Sequence, residues 1–179
     1  MTDKFQTPAG VISYPNLFAT QPKGGVKGAM EVYSSSLVLD EGAQNSTSFK
    51  KLKAAVDEAM EAYAKEKKIK IGAMRSPFIK DDKGKYSAVC DDAVYISPWS
   101  KFQPAVVDED KQPILAAGDM HAGMKARLSV SFFCWSNSGN HGCSFALEGV
   151  QVYTNIEMPR LDGRRSGAEM FDDDEDDQF

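Results

Sequence analysis

Between residues 46 and 68, Phe49, Leu52, Val56, Met60 and Tyr63 recur at intervals of three and four, which places them on one stripe of an α-helix. Ser46, Thr47 or Ser48 can cap its start, and Lys65, Lys67 and Lys68 lie in its last turn, where positive charge complements the helix dipole. The stripe predicts a helix packed over the end of a sheet. Elsewhere the period is two. Residues 29–39, AMEVYSSSLVL, mix β-branched, aromatic and serine positions in partial alternation and predict a strand. Residues 1–28 are rich in proline and glycine, so only the short apolar run at 11–14 is expected to pair there, the rest being irregular.

From residue 86 onward the pattern is β. Segments 86–90, 93–99 and 105–108 are short, whereas 125–135 and 143–153 are long and are joined by an Asn/Ser/Gly-rich turn into a hairpin. In the second arm Phe145 and Leu147 share one parity and Val150 and Val152 the other, as a bulge at Glu148 or Gly149 would produce. Residues 128–147 contain no Asp, Glu, Lys or Arg, yet polar residues at 136–142 occupy their centre, where hydrocarbon would leave them unpaired. The stretch therefore reads as a hairpin and no membrane partner is expected. Five or more strands and one long helix in 179 residues indicate a mainly β domain, a barrel with one prominent inserted helix. After Ile156 the composition turns polar and charged, so we expect a folded domain over residues 1–160 and a disordered acidic tail over 161–179.

Charge divides the chain the same way. The formal net charge is -5, but the seven acidic residues beyond residue 168 leave 19 acidic against 21 basic residues in the rest, a body of +2. An acidic total thus does not exclude a nucleic-acid partner, because the acidity sits in a separable tail. The tail residues Asp172, Asp173, Asp174, Glu175, Asp176 and Asp177 can mimic phosphates, and the terminal Phe179 can anchor in a partner's pocket. Residues 1–10 have neither a basic nor an apolar export region, and the three cysteines are an odd number, so reduced thiols and a cytoplasmic address are expected.

Candidate chemistry concentrates on residues 125–135. Leu128, Val130, Phe132 and Cys134 form one face of this strand. Arg127, Ser129, Ser131, Phe133 and Trp135 form the other, with Lys125 nearby in sequence, and a cation, small hydroxyls and two large aromatics together suit a platform on which bases stack while phosphates meet charge. The alternative is that Phe133 and Trp135 pack under the helix or a loop. Tyr33, Tyr95, Trp99 and Lys101, with Phe102, are further aromatic and basic candidates, whereas Lys50, Lys51 and Lys53 suit a solvated helix face. No cofactor is called for. Cys134, His141 and Cys143 lack a zinc-knuckle spacing, Asp119 and His121 lack a nucleophile, and the GGVKG segment at 24–28 lacks the ending of a phosphate-cradling loop.

The motifs VISYPNLF at 11–18, PAVVD at 104–108, Gly118-Asp119 before a long strand, and GCSFALEGVQV at 142–152 occur in an order that resembles the bacteriophage single-stranded DNA-binding proteins of the OB-fold type, across most of residues 10–155. The resemblance implies an OB-fold-like barrel that coats single-stranded DNA in phage replication, recombination or repair, in the host cytoplasm. It also implies a tail that recruits a polymerase, helicase or primase, with self-association left open. The competing reading is an acidic-tailed module or chaperone for basic proteins; a nuclease ranks behind both.

Overall fold

The computed structural model describes residues 3–163. Its strands are β1 (Phe5–Gln6), β2 (Gly10–Pro22), β3 (Glu31–Leu39), β4 (Ile79–Lys80), β5 (Val94–Ile96), β6 (Trp99–Ser100), β7 (Ala105–Val107), β8 (Lys125–Asn137) and β9 (Asn140–Val152), with helices α1 (Glu41–Gln44) and α2 (Thr47–Lys67) between β3 and β4. β8 pairs with β2, β2 with β3, β3 with β6, β6 with β9, and β9 again with β8, which closes a five-stranded ring. Every neighbour in it is antiparallel except β6 and β9, joined in parallel at Trp99 and Ala146. This is the OB-type barrel the sequence predicts.

Strand parity sorts the side chains. On β8, Ala126, Leu128 and Val130 are buried in the barrel core with Leu37 and Leu39 of β3 and Phe145, Leu147, Val150 and Val152 of β9. The core parity of β9 switches because Ser129 pairs with Gly149 but Val130 with Leu147, so Glu148 is the extra residue of a bulge, as its pattern predicts. The hairpin turn is tighter than expected, consisting of Ser138 and Gly139, both at positive φ, and His141 lies within β9.

Ser46 caps α2 by accepting the Phe49 amide hydrogen at 3.2 Å, and Lys68 ends it in the left-handed conformation. Phe49, Leu52, Val56, Met60 and Ala64 are buried against the barrel, while Tyr63 is half-buried with its hydroxyl 3.0 Å from His141 Nδ1. Phe78 bridges helix and barrel, its ring 5.3 Å from those of both Phe49 and Phe145.

Two expectations are corrected. β2 does not stop near Tyr14 but continues to Pro22, because the register shift between Ser13 and Asn16 accommodates Pro15 and Pro22 falls at the strand's end. Residues 86–90 are a turn and not a strand. The Asp81 carboxylate accepts the backbone N–H groups of Lys85 at 2.8 Å and Tyr86 at 2.7 Å, which bends the chain before it can extend.

Candidate nucleic-acid interface

The inner parity of β8 faces α2, with the Cys134 thiol 3.8 Å from the Ala59 carbonyl oxygen. Phe133 and Trp135 consequently point to the outer face of the barrel, away from the helix. Phe133 is 39% exposed. Its ring meets Trp99 edge-on, at 6.1 Å between centroids and 86° between planes. Trp99 reaches this place because β6 pairs with Ser34 of β3 on one side and Ala146 of β9 on the other. The Trp135 indole N–H donates to Ser144 Oγ at 2.9 Å, and a Cβ on Gly142 would fall 2.6 Å from the indole ring, so the glycine provides the space the ring occupies.

Beside these rings runs a groove of about 650 Å³ lined by Ser34, Ser36, Ser97, Ser144, Trp99 and the start of the β2–β3 loop at Lys23, Gly24 and Gly25. Serines contribute five of its lining residues, and the Ser36 and Ser97 hydroxyls bond to each other at 2.8 Å. Lys23 Nζ stands 4.1 Å from the Trp99 ring centroid. Gly24 and Gly25 take left-handed φ values of 66° and 72°, which let the loop fold over the groove's rim. At the other end Lys85 Nζ lies 5.1 Å from Tyr14, 5.4 Å from Tyr86 and 5.8 Å from Tyr95.

Of the residues singled out by sequence, Trp99, Phe133 and Trp135 are brought to one face, and Tyr95 joins the Lys85 cluster at the other end of the groove. The others are elsewhere. Tyr33 shares parity with Leu37 and Leu39, the core side of β3. Lys101 is exposed just after β6. Arg127 lies six residues before Phe133, roughly 20 Å along the strand, where its Nε donates to Gln151 Oε1 at 2.6 Å beside a separate hollow of about 240 Å³. Lys125 is farther still, at the start of β8. The tail residues Asp172 to Asp177 and Phe179 lie outside the described residues.

Sequence reasoning missed Lys23, Lys85, Tyr14 and Ser144. The glycine-rich GGVKG run was the one available signal for Lys23, and its place on the groove's rim is a consequence of the β2–β3 pairing.

Among the described residues no three His, Cys, Asp or Glu side chains gather as a metal site requires, and no helix is long and apolar enough to cross a membrane. Burial pushes the Cys143 thiol up to about 12, and burial likewise raises Cys134, its partner across the β8–β9 ladder.

A five-stranded barrel whose strands β2 and β3, β2–β3 loop and β8–β9 hairpin surround an aromatic, basic groove is the OB-type single-stranded nucleic-acid-binding architecture. The family model described as Enterobacter phage Enc34, ssDNA-binding protein, matches residues 7–179, and the chain belongs to this family of phage single-stranded DNA-binding proteins. No curated protein sequence matches the chain. Among solved structures, the C-terminally truncated single-stranded DNA-binding protein of bacteriophage Enc34 superposes with a TM-score of 0.68 at 17% identity, covering 87% of this chain and 88% of that one. The same phage protein in complex with ssDNA gives 0.67 at 19% identity over 87% and 88%. The single-stranded DNA binding protein gp2.5 of bacteriophage T7 gives 0.64 at 14% identity over 92% and 98%.

Proposed function

We propose that this protein binds single-stranded DNA without sequence preference along the outer-face groove and so coats strands exposed during phage replication, recombination or repair. The observation that carries the reading is the gathering of Trp99, Phe133 and Trp135 on the outer face, Phe133 exposed and both tryptophans half-buried, beside a groove with serines in its lining and Lys23 at its rim. Every base has a π-face, so such rings accept any sequence, while a duplex keeps its bases stacked on each other and offers them nothing. Lysines meet phosphates as point charges. The activity requires no bond to be made or broken, and we assign the protein no catalysis.

The folded domain of residues 1–160 carries the DNA site in this reading, and residues 161–179 act as a separate acidic tail. Asp172 to Asp177 compete with DNA for the basic groove, and Phe179 serves to recruit a replication protein such as a polymerase, helicase or primase. The host cytoplasm is where both partners meet.

Titration with single-stranded and duplex DNA of equal length over a salt series tests the proposal. Preference for the single strand, with log affinity falling linearly against log salt at about -0.7 per phosphate contacted, is expected. Equal affinity for both forms, or a slope near zero, overturns it.

A further inference from the structure

The groove does not end at Asn16. Beyond it lies a second hollow of about 560 Å³, lined by Lys85, Tyr86, Val89, Met120 and His121, and the two share Tyr14, Asn16 and Lys85. Tyr14 stands at this junction 61% exposed and with its backbone at φ 46°, a left-handed conformation that a bulky residue rarely adopts. The conformation falls where β2 slips register between Ser13 and Asn16, and such strain gathers at ligand sites. Across the opening, the Asp81 carboxylate fixes the turn carrying Lys85, whose ammonium is ringed by Tyr14, Tyr86 and Tyr95. Tyr86 is 5% exposed, and among the described residues its hydroxyl is buried without a hydrogen-bond partner. That hydroxyl is closed off from solvent, so Tyr86 contributes here through its ring contact with Lys85.

Given that the groove is the single-strand site, we propose that Tyr14 and Lys85 form a second nucleotide station, at which a base stacks on the Tyr14 ring and Lys85 takes the adjoining phosphate. The strand then continues along the hollow lined by Tyr86, Val89, Met120 and His121. Asn16 pairs with Ser34 and Ser34 with Trp99, so the two stations are separated by about two strand spacings, roughly 10 Å across the sheet. A longer oligonucleotide engages both, a short one only the Trp99–Phe133 end.

The experiment compares wild type, Tyr14→Asn and Lys85→Gln for affinity to oligo(dT) of graded length, from about 3 to 16 nucleotides, the range of OB-fold site sizes. Asparagine tolerates left-handed backbone, so Tyr14→Asn removes the ring without opposing the local conformation, and Lys85 is solvent-exposed; thermal melting verifies both folds. Both variants are expected to match wild type on the shortest oligomers and to lose about tenfold on the longest, a loss within the stacking range. Wild-type affinity at every length overturns the second station while leaving the groove intact. Loss of equal size at every length also overturns it, since the residues would then belong to a single site. Absence of binding by the wild type itself instead removes the groove reading on which the station rests.

Discussion

Lys23 Nζ and the Trp99 ring centroid are 4.1 Å apart, so a cation at the candidate platform covers one face of its own aromatic partner. In the proposed reading, a base that stacks on that face displaces the ammonium, which then moves to the phosphate beside it. The contact holds Lys23 near the groove in the free protein and costs little to exchange, because a cation–π contact at an exposed site is worth about 0.5–1 kcal/mol against roughly 1–3 kcal/mol for a stacked base.

The rings should be separable from the core. Phe133→Ala is expected to weaken oligo(dT) binding by roughly 1–3 kcal/mol, and Trp99→Ala similarly. Because Phe133 is 39% exposed, its removal should leave the melting temperature nearly unchanged. A large fall in Tm with unaltered DNA affinity would show that the ring belongs to the packing and not to the platform. Isothermal titration paired with thermal melting reads both quantities.

Salt dependence distinguishes the basic residues. Removing one phosphate contact lowers the slope of log affinity against log salt by about 0.7 on single strands. Lys23→Ala should therefore flatten the slope by that amount. Arg127→Ala should flatten it less, since its guanidinium donates to Gln151 far along β8 from Phe133. The reverse order would place the DNA path over the Arg127 end of the strand.

Alkaline stability follows from Cys143. Burial holds its thiol up at about 12 in the folded state, against 9.0 for the free group. The unfolded chain thus releases this proton first, and the stabilisation present below about pH 9 is lost progressively as pH rises toward 12. Denaturant midpoints measured from pH 8 to 11 should fall more steeply for wild type than for Cys143→Ala. Parallel curves would mean that the thiol titrates normally.

Tail removal offers a fourth comparison. Deleting residues 172–179 shifts the formal charge by +6, from -5 to +1, and should tighten oligo(dT) binding most at low salt, where the tail's attraction to the groove is least screened. Fluorescence anisotropy across a salt series measures it, and unchanged affinity at low salt would leave the tail as a docking peptide that never visits the groove.

The parts of this architecture written locally were legible in the chain. α2 announces itself by spacing and by the cap at Ser46, and β8 separates its faces because its side-chain alternation runs unbroken from Ala126 to Trp135. The Glu148 bulge is visible as a change of parity between Leu147 and Val150. What escaped depends on contacts between distant segments. Tyr33 and Trp99 are both aromatic strand residues, but Trp99 pairs with Ser34 and so takes the opposite face of the sheet from Tyr33. Lys23 and Lys85 reach the groove from a loop and a turn whose positions are fixed by strand pairing and by the Asp81 carboxylate, neither of which leaves a periodic trace. Residues 86–90 read as β because their composition is apolar enough, and the turn is imposed from outside the segment.

The most direct test of the account uses the two tryptophans, Trp99 and Trp135, one at a time. In a Trp135→Phe protein the emission comes from Trp99 alone. Adding oligo(dT) should quench it in proportion to occupancy, while an equal concentration of duplex of the same length leaves it unchanged. Unaltered Trp99 emission under conditions where anisotropy of a labelled oligonucleotide shows full binding would contradict the account, because the strand would then lie somewhere other than the groove.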